Sequence, residues 1–317
     1  MAGLRSEAKG SLAPGPLPAS KAARMIMSAE TVTESTPTAA KPQPIACMEI
    51  WGGNGAVENA VSSPGLDAYI YSRPYQGDAG GGDIHYVSMC ASGRIKRFVV
   101  ADVAGHGDSA AALATRLRDL MRRYMNTLDQ TKFTRALNED FLKSDSGGRF
   151  ATALLVTVFT PTQHVVVCNA GHPRPLMYRR AAGQWGVLAP EGEDCVDSAG
   201  GLPLGIIEPT EYSQFAVPIG AGDMVLLVTD GFVEARSPQG KMLGEDGLTG
   251  IVSRLDASRP ESLLPSLISE VERYRAGQPP DDDLTAVLLY RNAAGAQDYS
   301  LREQLVGLAK MIGLARM

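Results

Sequence analysis

The hydrophobic positions of this chain repeatedly form short apolar runs that stop at an aspartate. Residues 98–101 lead into Asp102, after which a Gly-His-Gly turn opens an Ala- and Leu-rich segment of helical character. Residues 224–228 lead in a similar way to Asp230, which a glycine follows. Each pattern predicts a buried strand that places a carboxylate at the end of a sheet.

Two further aspartates stand before apolar runs. Asp83 follows three glycines and precedes residues 84–90, and Asp282 lies within three consecutive aspartates before residues 284–290. If the four aspartates converge, burial and mutual repulsion push them toward protonation. An oxygen-only site with this much negative charge suits a hard cation such as Mg²⁺ or Mn²⁺. The alternative is that each aspartate only caps a helix or closes a turn.

The remaining periodicity predicts groups of strands that alternate with pairs of helices. The predicted strands are 48–51, 66–72, 84–90, 95–102, 151–160, 164–170, 212–217, 223–229 and 284–290, and the predicted helices are 109–125, 132–143, 245–254 and 260–276. Residues 181–211, rich in Gly, Pro and acidic side chains, predict a surface flap. This order favours an α+β fold, an antiparallel β-sandwich flanked by pairs of α-helices.

The first helix pair has one apolar and one basic face. Its apolar side chains recur at three- and four-residue spacing, which predicts that they pack on the sheet; they are Leu113, Leu117, Leu120, Tyr124, Phe133, Leu137 and Phe141. The opposite face is predicted to be solvated and carries Arg116, Arg118, Arg122 and Arg123.

The ends of the chain differ in composition from the middle. Residues 1–44 contain few large apolar side chains, which predicts a disordered segment; initiation at Met25 or Met27 would account for it equally well. Residues 45–292 are predicted to form one domain in which Trp51 is a half-buried core residue. Residues 293–317 predict a linker and an amphipathic helix that packs on the domain or forms a surface for a homodimer or a partner.

Charge and cysteine content narrow the functional classes. The formal net charge of −5 argues against nonspecific binding to nucleic acid or to an anionic membrane surface. No apolar run approaches the ~20 residues that span a bilayer, and no secretory signal is evident. The four cysteines form no C-x-x-C pair, and Cys90 and Cys168 lie in apolar strands, which is typical of core thiols in a reducing compartment. A cytoplasmic location is therefore expected.

Two other enzyme classes fit the sequence poorly. The run Gly105-His106-Gly107-Asp108-Ser109-Ala110 matches the dinucleotide pattern G-x-G-x-x-A. That pattern requires a second strand ending in an acidic residue about 20 positions later, where this chain has helical segments instead. No G-x-S-x-G elbow of a serine hydrolase occurs in the sequence.

Five short motifs carry a family resemblance. In chain order they are Gly-Gly-Asp (81–83), Ala-Asp-Val-Ala-Gly-His-Gly (101–107), Asn-Ala-Gly-His-Pro (169–173), Thr-Asp-Gly (229–231) and Asp-Asp-Leu-Thr (282–285). The set strongly resembles the SpoIIE/RsbU branch of the bacterial PPM (type 2C-like) metal-dependent serine/threonine phosphatases. The resemblance covers residues 65–292 and implies a fold of α/β/β/α layers.

The resemblance also implies a mechanism and a set of site residues. Two Mg²⁺ or Mn²⁺ ions activate water for hydrolysis of a phosphoserine or phosphothreonine, so no protein nucleophile is needed. Asp102 bridges both ions, Asp230 and Asp282 complete one ion site, and Asp83 and the backbone carbonyl of Val103 complete the other. Asp102 and Asp230 are accordingly the catalytic candidates.

The implied partners are a phosphoprotein substrate, typically an anti-anti-sigma (STAS) regulator, and a separate activating protein. In the family, helices at the positions of 109–125 and 132–143 act as a switch that sets the metal-site geometry. The rival hypothesis is a catalytically weak or inactive interaction module on the same scaffold.

Several residue roles stay open at this stage. His106 lies in a loop two residues longer than that of relatives in which a histidine acts as general acid. His172 lies at the mouth of the site or stabilises a turn. Arg73 and Arg149 are phosphate-binding candidates by their proximity to motifs alone. The choice of Asp282 over its two aspartate neighbours rests on the motif match.

Overall fold

Two sheets, each covered by helices, make up the described part of the chain. The computed structural model describes residues 41–45, 50–90, 94–105, 107–144, 148–190 and 201–294, and all of them belong to one compact unit, Thr36–Met317. The strands in chain order are β1 Gln43–Pro44, β2 Ile50–Gly53, β3 Val57–Ser63, β4 Leu66–Arg73, β5 Asp83–Cys90, β6 Ile95–Val103, β7 Ala151–Phe159, β8 His164–Ala170, β9 Leu176–Arg179, β10 Gln184–Val187, β11 Gln214–Pro218, β12 Met224–Val228 and β13 Leu284–Tyr290.

The strands form one seven-stranded and one six-stranded sheet. The first sheet has the order β1-β3-β4-β13-β12-β9-β10, and the second has the order β11-β8-β7-β6-β5-β2. Every pairing is antiparallel except that of β1 with β3. The helices are α1 Asp108–Arg123, α2 Gln130–Ser144, α3 Asp230–Val233, α4 Gly244–Val252 and α5 Pro260–Arg275.

Three large apolar cores hold four layers together. One core lies between the sheets and includes Val87, Phe98 and Val225. The second joins α1 and α2 to the outer face of the six-stranded sheet, and the third joins α4 and α5 to the outer face of the seven-stranded sheet. The layer order is therefore α/β/β/α, and the expectation of an α+β sandwich flanked by helix pairs is confirmed.

Strand β6 shows why the sequence signal at Asp102 was strong. Its alternate residues Val99, Ala101 and Val103 belong to the core under α1 and α2, whereas Phe98 and Val100 belong to the core between the sheets. Both faces are buried, so the strand is apolar without interruption from Phe98 to Ala101, directly before Asp102. Asp102 continues the alternation of Phe98 and Val100, and its side chain therefore faces the cleft between the sheets.

The structure corrects part of the predicted element list. Strand β3 was not predicted because its mixed sequence VENAVSS lacks a clear apolar alternation. The predicted flap over 181–211 contains strand β10, whose Trp185 is buried against the helix-covered face of the first sheet. Strand β9 and the single turn α3 after Thr229 were likewise missed, being only four residues long.

The structure also bears on the expectations for the cysteines, for Trp51 and for membrane-spanning segments. Cys168 is a buried free thiol, and burial raises its pKa to about 11; Trp51 is half-buried against the inter-sheet core, as expected. Within the described residues no helix is long and apolar enough to cross a membrane. Residues 1–40, residues 295–317, the other cysteine side chains and His106 lie outside the described part.

The packing of α2 can be tested by truncating one core side chain. Leu137 is fully buried under the six-stranded sheet, so Leu137→Ala should lower the free energy of unfolding by about 2–5 kcal/mol. Lys132→Ala on the exposed face of the same helix should stay within about 0.5 kcal/mol of wild type. Urea unfolding measures both. A loss below 1 kcal/mol for Leu137→Ala would contradict the packing described.

Candidate metal centre

The candidate site begins with two aspartates from neighbouring strands. Strands β5 and β6 pair so that Asp83 lies directly opposite Asp102. Both side chains face the cleft between the sheets, since Val87 on the same face as Asp83 belongs to the inter-sheet core. The register therefore brings together two of the carboxylates that the sequence singled out.

The seven-stranded sheet contributes the other half of the site at the same end. Thr229 follows β12 and donates its hydroxyl hydrogen to Oδ2 of Asp83 (2.8 Å). The same hydroxyl oxygen accepts the backbone N–H of Thr285 in β13 (3.0 Å). This buried pair of hydrogen bonds ties both central strands of one sheet to Asp83 of the other, and it places Asp230 beside the cleft.

Asp283 has a structural role that its neighbour Asp282 does not share. Its buried carboxylate accepts backbone N–H groups from Tyr75 (2.5 Å), Gly82 (2.6 Å) and Asp83 (3.2 Å). Asp281 is exposed, whereas Asp282 is half-buried. Asp283 is thus engaged with the backbone around Gly82, whereas Asp282 lies half-buried at the edge of the cleft.

Glycines let backbone and carboxylate oxygens approach one another closely. A Cβ atom at Gly82 would lie 2.7 Å from the Val103 carbonyl oxygen, 3.2 Å from Oδ1 of Asp102 and 3.3 Å from the Gly105 carbonyl oxygen. A Cβ at Gly81 would collide with the Asp283 carboxylate. Three oxygen atoms therefore converge on a space that only glycine leaves open, and the Val103 carbonyl is among them.

The carboxylates strongly perturb one another. Burial, followed by the charges of Asp102 and Asp283, raises the pKa of Asp83 well above its ordinary value. Burial and then the charges of Asp230 and Asp282 raise the pKa of Asp102 to about 8. Burial and the charge of Asp282 likewise raise the pKa of Asp230 to about 6. The cleft therefore gathers carboxyl groups whose ionised forms disfavour one another.

This donor set suits a hard divalent cation. All the converging atoms are carboxylate or carbonyl oxygens, the ligands that Mg²⁺ and Mn²⁺ prefer. Nevertheless, no three His, Cys, Asp or Glu side chains in the described residues are close enough to form a ready-made ion site. The aspartates share one cleft and sense one another, but their side chains are not drawn together around a single point.

A cavity adjoins the aspartates. It has a volume of about 260 Å³, and Glu234, Arg236, Arg275 and Asp282 contribute to its lining. The buried Arg275 guanidinium donates to the carbonyl oxygen of Gly231 (2.9 Å), next to Asp230. Positive charge therefore lies beside the carboxylate cluster, on the side of the seven-stranded sheet.

The structure locates Arg73, Arg149 and His172, whose roles the sequence left open. Arg73 is exposed at the site end of β4, opposite Leu284. Arg149 immediately precedes Phe150, whose carbonyl oxygen accepts the N–H of Ala104 after β6. His172 is buried beside Thr152. His106 lies outside the described residues.

Sequence reasoning missed the residues that support the aspartates. Thr229 and Thr285 stand in the very motifs that carry the resemblance, but nothing local signals that their backbones and hydroxyls meet across two strands. Glu234 lies four residues after Asp230, a spacing that would have indicated proximity had α3 been predicted. Arg275 gave no signal, because the end of an amphipathic helix is a common place for a basic side chain.

The architecture places the chain in a known fold class. It is similar to the structure of the RsbU and RsbW domains of Rv1364c from Mycobacterium tuberculosis (TM-score 0.60, 26% identity, 76% of this chain and 63% of that chain). It is also similar to the PP2C phosphatase domain and regulatory-domain fragment of SpoIIE from Bacillus subtilis (TM-score 0.58, 18% identity, 78% and 64%). The fold is thus that of the PP2C phosphatases.

The family follows from the sequence. The family model described as Stage II sporulation protein E (SpoIIE) matches residues 93–292, more than half of the chain, so the chain belongs to the SpoIIE family. Among Bacillus subtilis (strain 168) proteins, it is 23% identical to phosphoserine phosphatase RsbU over 61% of this chain and 54% of that protein. It is 25% identical to phosphoserine phosphatase RsbP over 43% of this chain and 32% of that protein. The chain therefore spans a third to about half of these relatives.

The raised pKa of Asp102 gives a pH-dependent prediction for the stability of the protein in EDTA. With a pKa of about 8 in the folded state and ~3.9 in the unfolded chain, the group costs stability as the pH rises from about 4 to about 8. Asp102→Asn removes this cost. One pKa unit corresponds to about 1.4 kcal/mol, so the melting temperature at pH 8 should rise by about 3 °C or more.

The controls for this melting experiment are a second pH and a substitution at a different buried aspartate. At pH 4 the Asp102→Asn variant and wild type should melt at about the same temperature. Asp283→Asn should instead melt below wild type at pH 8, because the amide cannot accept all three backbone N–H groups. Calorimetric melting in EDTA measures these differences; a gain for Asp102→Asn that does not depend on pH would refute the electrostatic explanation.

Proposed function

We propose that this chain is a metal-dependent protein phosphatase that hydrolyses phosphoserine or phosphothreonine on a regulatory protein. The observation that carries the proposal is the cleft in which burial and the charges of Asp230 and Asp282 raise the pKa of Asp102, while Asp83 lies opposite Asp102. A folded protein keeps such repulsion only where a function or a ligand compensates it. Membership of the SpoIIE family supports the same conclusion.

The proposed metal ligands come from both sheets. Asp102 would bridge two Mg²⁺ or Mn²⁺ ions, with Asp230 and Asp282 on one ion and Asp83 and the Val103 carbonyl on the other. Two bound ions supply an activated water and neutralise the charge on the phosphoryl group. The chain's own contribution is to hold the carboxylates rigidly: Thr229 orients Asp83, and Asp283 fixes the Gly81-Gly82-Asp83 turn.

The choice of metal rests on ligand chemistry and on a relative. Carboxylate and carbonyl oxygens favour Mg²⁺ and Mn²⁺ over softer ions. A similar fold, RsbX, has been solved in complex with magnesium (TM-score 0.53, 17% identity). Arg236 and Arg275, which line the cavity beside Asp282, add positive charge where a phosphate-bearing side chain would enter.

The proposed substrate is a phosphorylated STAS-type regulator, and the proposed activator is a separate protein that acts through α1 and α2. RsbU and RsbP are named as phosphoserine phosphatases, which supports phosphoserine as the substrate group. Arg116, Arg122 and Arg123 on α1 are exposed, so the basic face of this helix is accessible to such an activator.

A second candidate function is an inactive interaction module on the same scaffold. The finding that favours it is the lack, in the described residues, of three side chains already close enough to hold one ion. Calorimetric titration with Mn²⁺ separates the two functions, because an inactive module should release no heat of binding at micromolar to millimolar metal.

The phosphatase proposal predicts a metal-dependent activity that specific aspartates control. With Mn²⁺ present, wild type should hydrolyse p-nitrophenyl phosphate and a phosphoserine peptide, and EDTA should abolish both activities. Asp102→Asn and Asp230→Asn should each reduce kcat by about 100-fold or more, because several kcal/mol of charge stabilisation are lost. Phosphate release measured at saturating metal gives the rates.

The control for these variants is an aspartate outside the cleft. Asp119 lies on the surface of α1, so Asp119→Asn should keep wild-type activity. Activity that resists EDTA, or full activity in both cleft variants, would exclude the two-metal mechanism. A phosphorylated STAS protein that is hydrolysed no faster than the peptide would argue against that substrate class alone.

A further inference from the structure

The histidine of the Asn-Ala-Gly-His-Pro motif has no part in the function proposed above. This turn follows β8 and is closed by two reciprocal hydrogen bonds between the Asn169 side chain and the backbone of His172. The His172 N–H donates to Oδ1 of Asn169 (2.8 Å), and Nδ2 of Asn169 donates to the His172 carbonyl oxygen (2.9 Å). The imidazole takes no part in either bond, so stabilising the turn does not account for it.

The imidazole instead contacts strand β7, which pairs with the strand of Asp102. Its Nδ1 lies 2.8 Å from the hydroxyl oxygen of Thr152. Thr152 is directly opposite Asp102 in the β6–β7 pairing. Thr152 and Asp102 therefore share the cleft-facing side of the six-stranded sheet. Thr152 lies between His172 and the carboxylate proposed to bridge the ions.

The other side of the ring faces the seven-stranded sheet. Burial lowers the pKa of His172 to about 3, and the backbone of Val228 is the group that opposes this drop. Val228 ends β12 and precedes Thr229 and Asp230. Nε2 is buried and has no hydrogen-bond partner among the residues that the structure describes. The buried imidazole thus lies between Thr152 of β7 and the backbone at the end of β12.

We propose that His172 is a positioning residue which, through Thr152, fixes the distance between Asp102 in one sheet and the Thr229–Asp230 turn in the other. The inference rests on the proposed metal centre and extends it. Without a polar atom at the position of Nδ1, Thr152 loses its partner, and the residue directly opposite Asp102 is no longer held. The separation of Asp102 and Asp230 is then no longer fixed by contact, and ligands that are free to move apart bind metal more weakly.

The test compares variants that keep or lose the Nδ1 contact. An asparagine amide reaches about as far as Nδ1 of histidine, whereas a glutamine amide reaches about as far as Nε2. We expect His172→Gln and Thr152→Val to weaken Mn²⁺ binding by about 10- to 100-fold, the usual effect of losing a partner behind a metal ligand. His172→Asn and Thr152→Ser should stay within about threefold of wild type. Isothermal titration with Mn²⁺ at pH 7.5 gives the dissociation constants.

The histidine at the other end of β8 serves as the control. His164 begins β8 at the end remote from the cleft, and its Nδ1 contacts the Thr162 carbonyl oxygen (2.5 Å). His164→Gln should leave the Mn²⁺ dissociation constant unchanged. Melting in EDTA establishes that each variant is folded; if His172→Gln does not fold, Thr152→Val, which removes only the hydroxyl contact, decides the question.

The outcomes separate this inference from the function on which it rests. If wild type binds no Mn²⁺, the proposed metal centre is wrong. If wild type binds Mn²⁺ but folded His172→Gln and Thr152→Val bind it as tightly, the positioning role is wrong and the metal centre stands. A purely structural His172 would lower the melting temperature in His172→Asn and His172→Gln alike, with no difference between them in metal affinity.

Discussion

Mutual repulsion among buried carboxylates is the constraint on which the architecture at this end of the sandwich depends. Asp83, Asp102 and Asp230 each have a raised pKa because burial and neighbouring charges disfavour ionisation. The fold compensates the buried Asp83 and Asp283 with hydrogen bonds. Thr229 donates to Asp83, and three backbone N–H groups satisfy Asp283. The remaining charge, centred on Asp102, Asp230 and Asp282, is what a divalent cation would neutralise.

Consecutive aspartates perform different tasks because the chain turns between them. Asp283 points into the protein and fixes the Gly81-Gly82 turn, and Asp282 lies at the edge of the cleft. Glycine is required on the opposite side, because a Cβ at Gly81 or Gly82 would occupy the space of the Asp283 carboxylate or of the Val103 carbonyl oxygen. The Gly-Gly-Asp and Asp-Asp-Leu-Thr motifs, some two hundred residues apart, are therefore two halves of one contact.

The sequence predicted those features that a single segment determines. Strand β6 is apolar on both faces, so its end at Asp102 was evident, and the stripes on α1 and α2 fixed which faces are buried. Strands β3, β9 and β10 escaped because short or mixed segments gain their structure from pairing partners that lie elsewhere in the chain. The register of Asp83 with Asp102, the Thr229–Asp83 hydrogen bond and the contact of His172 with Thr152 are tertiary facts. No local pattern could have revealed them.

Contacts between residues at or next to the strand ends of the two sheets determine the geometry of the cleft. Thr229 after β12 meets Asp83 of β5, and Asp283 before β13 meets the backbone of Gly82 before β5. His172 after β8 lies between Thr152 of β7 and the end of β12. Because the inter-sheet core beneath them is close-packed, it resists changes in the spacing of the sheets. The aspartates are thus held apart by the sandwich itself. Their distance from one another is a property of the fold, and a change at any one of these contacts acts on all of them.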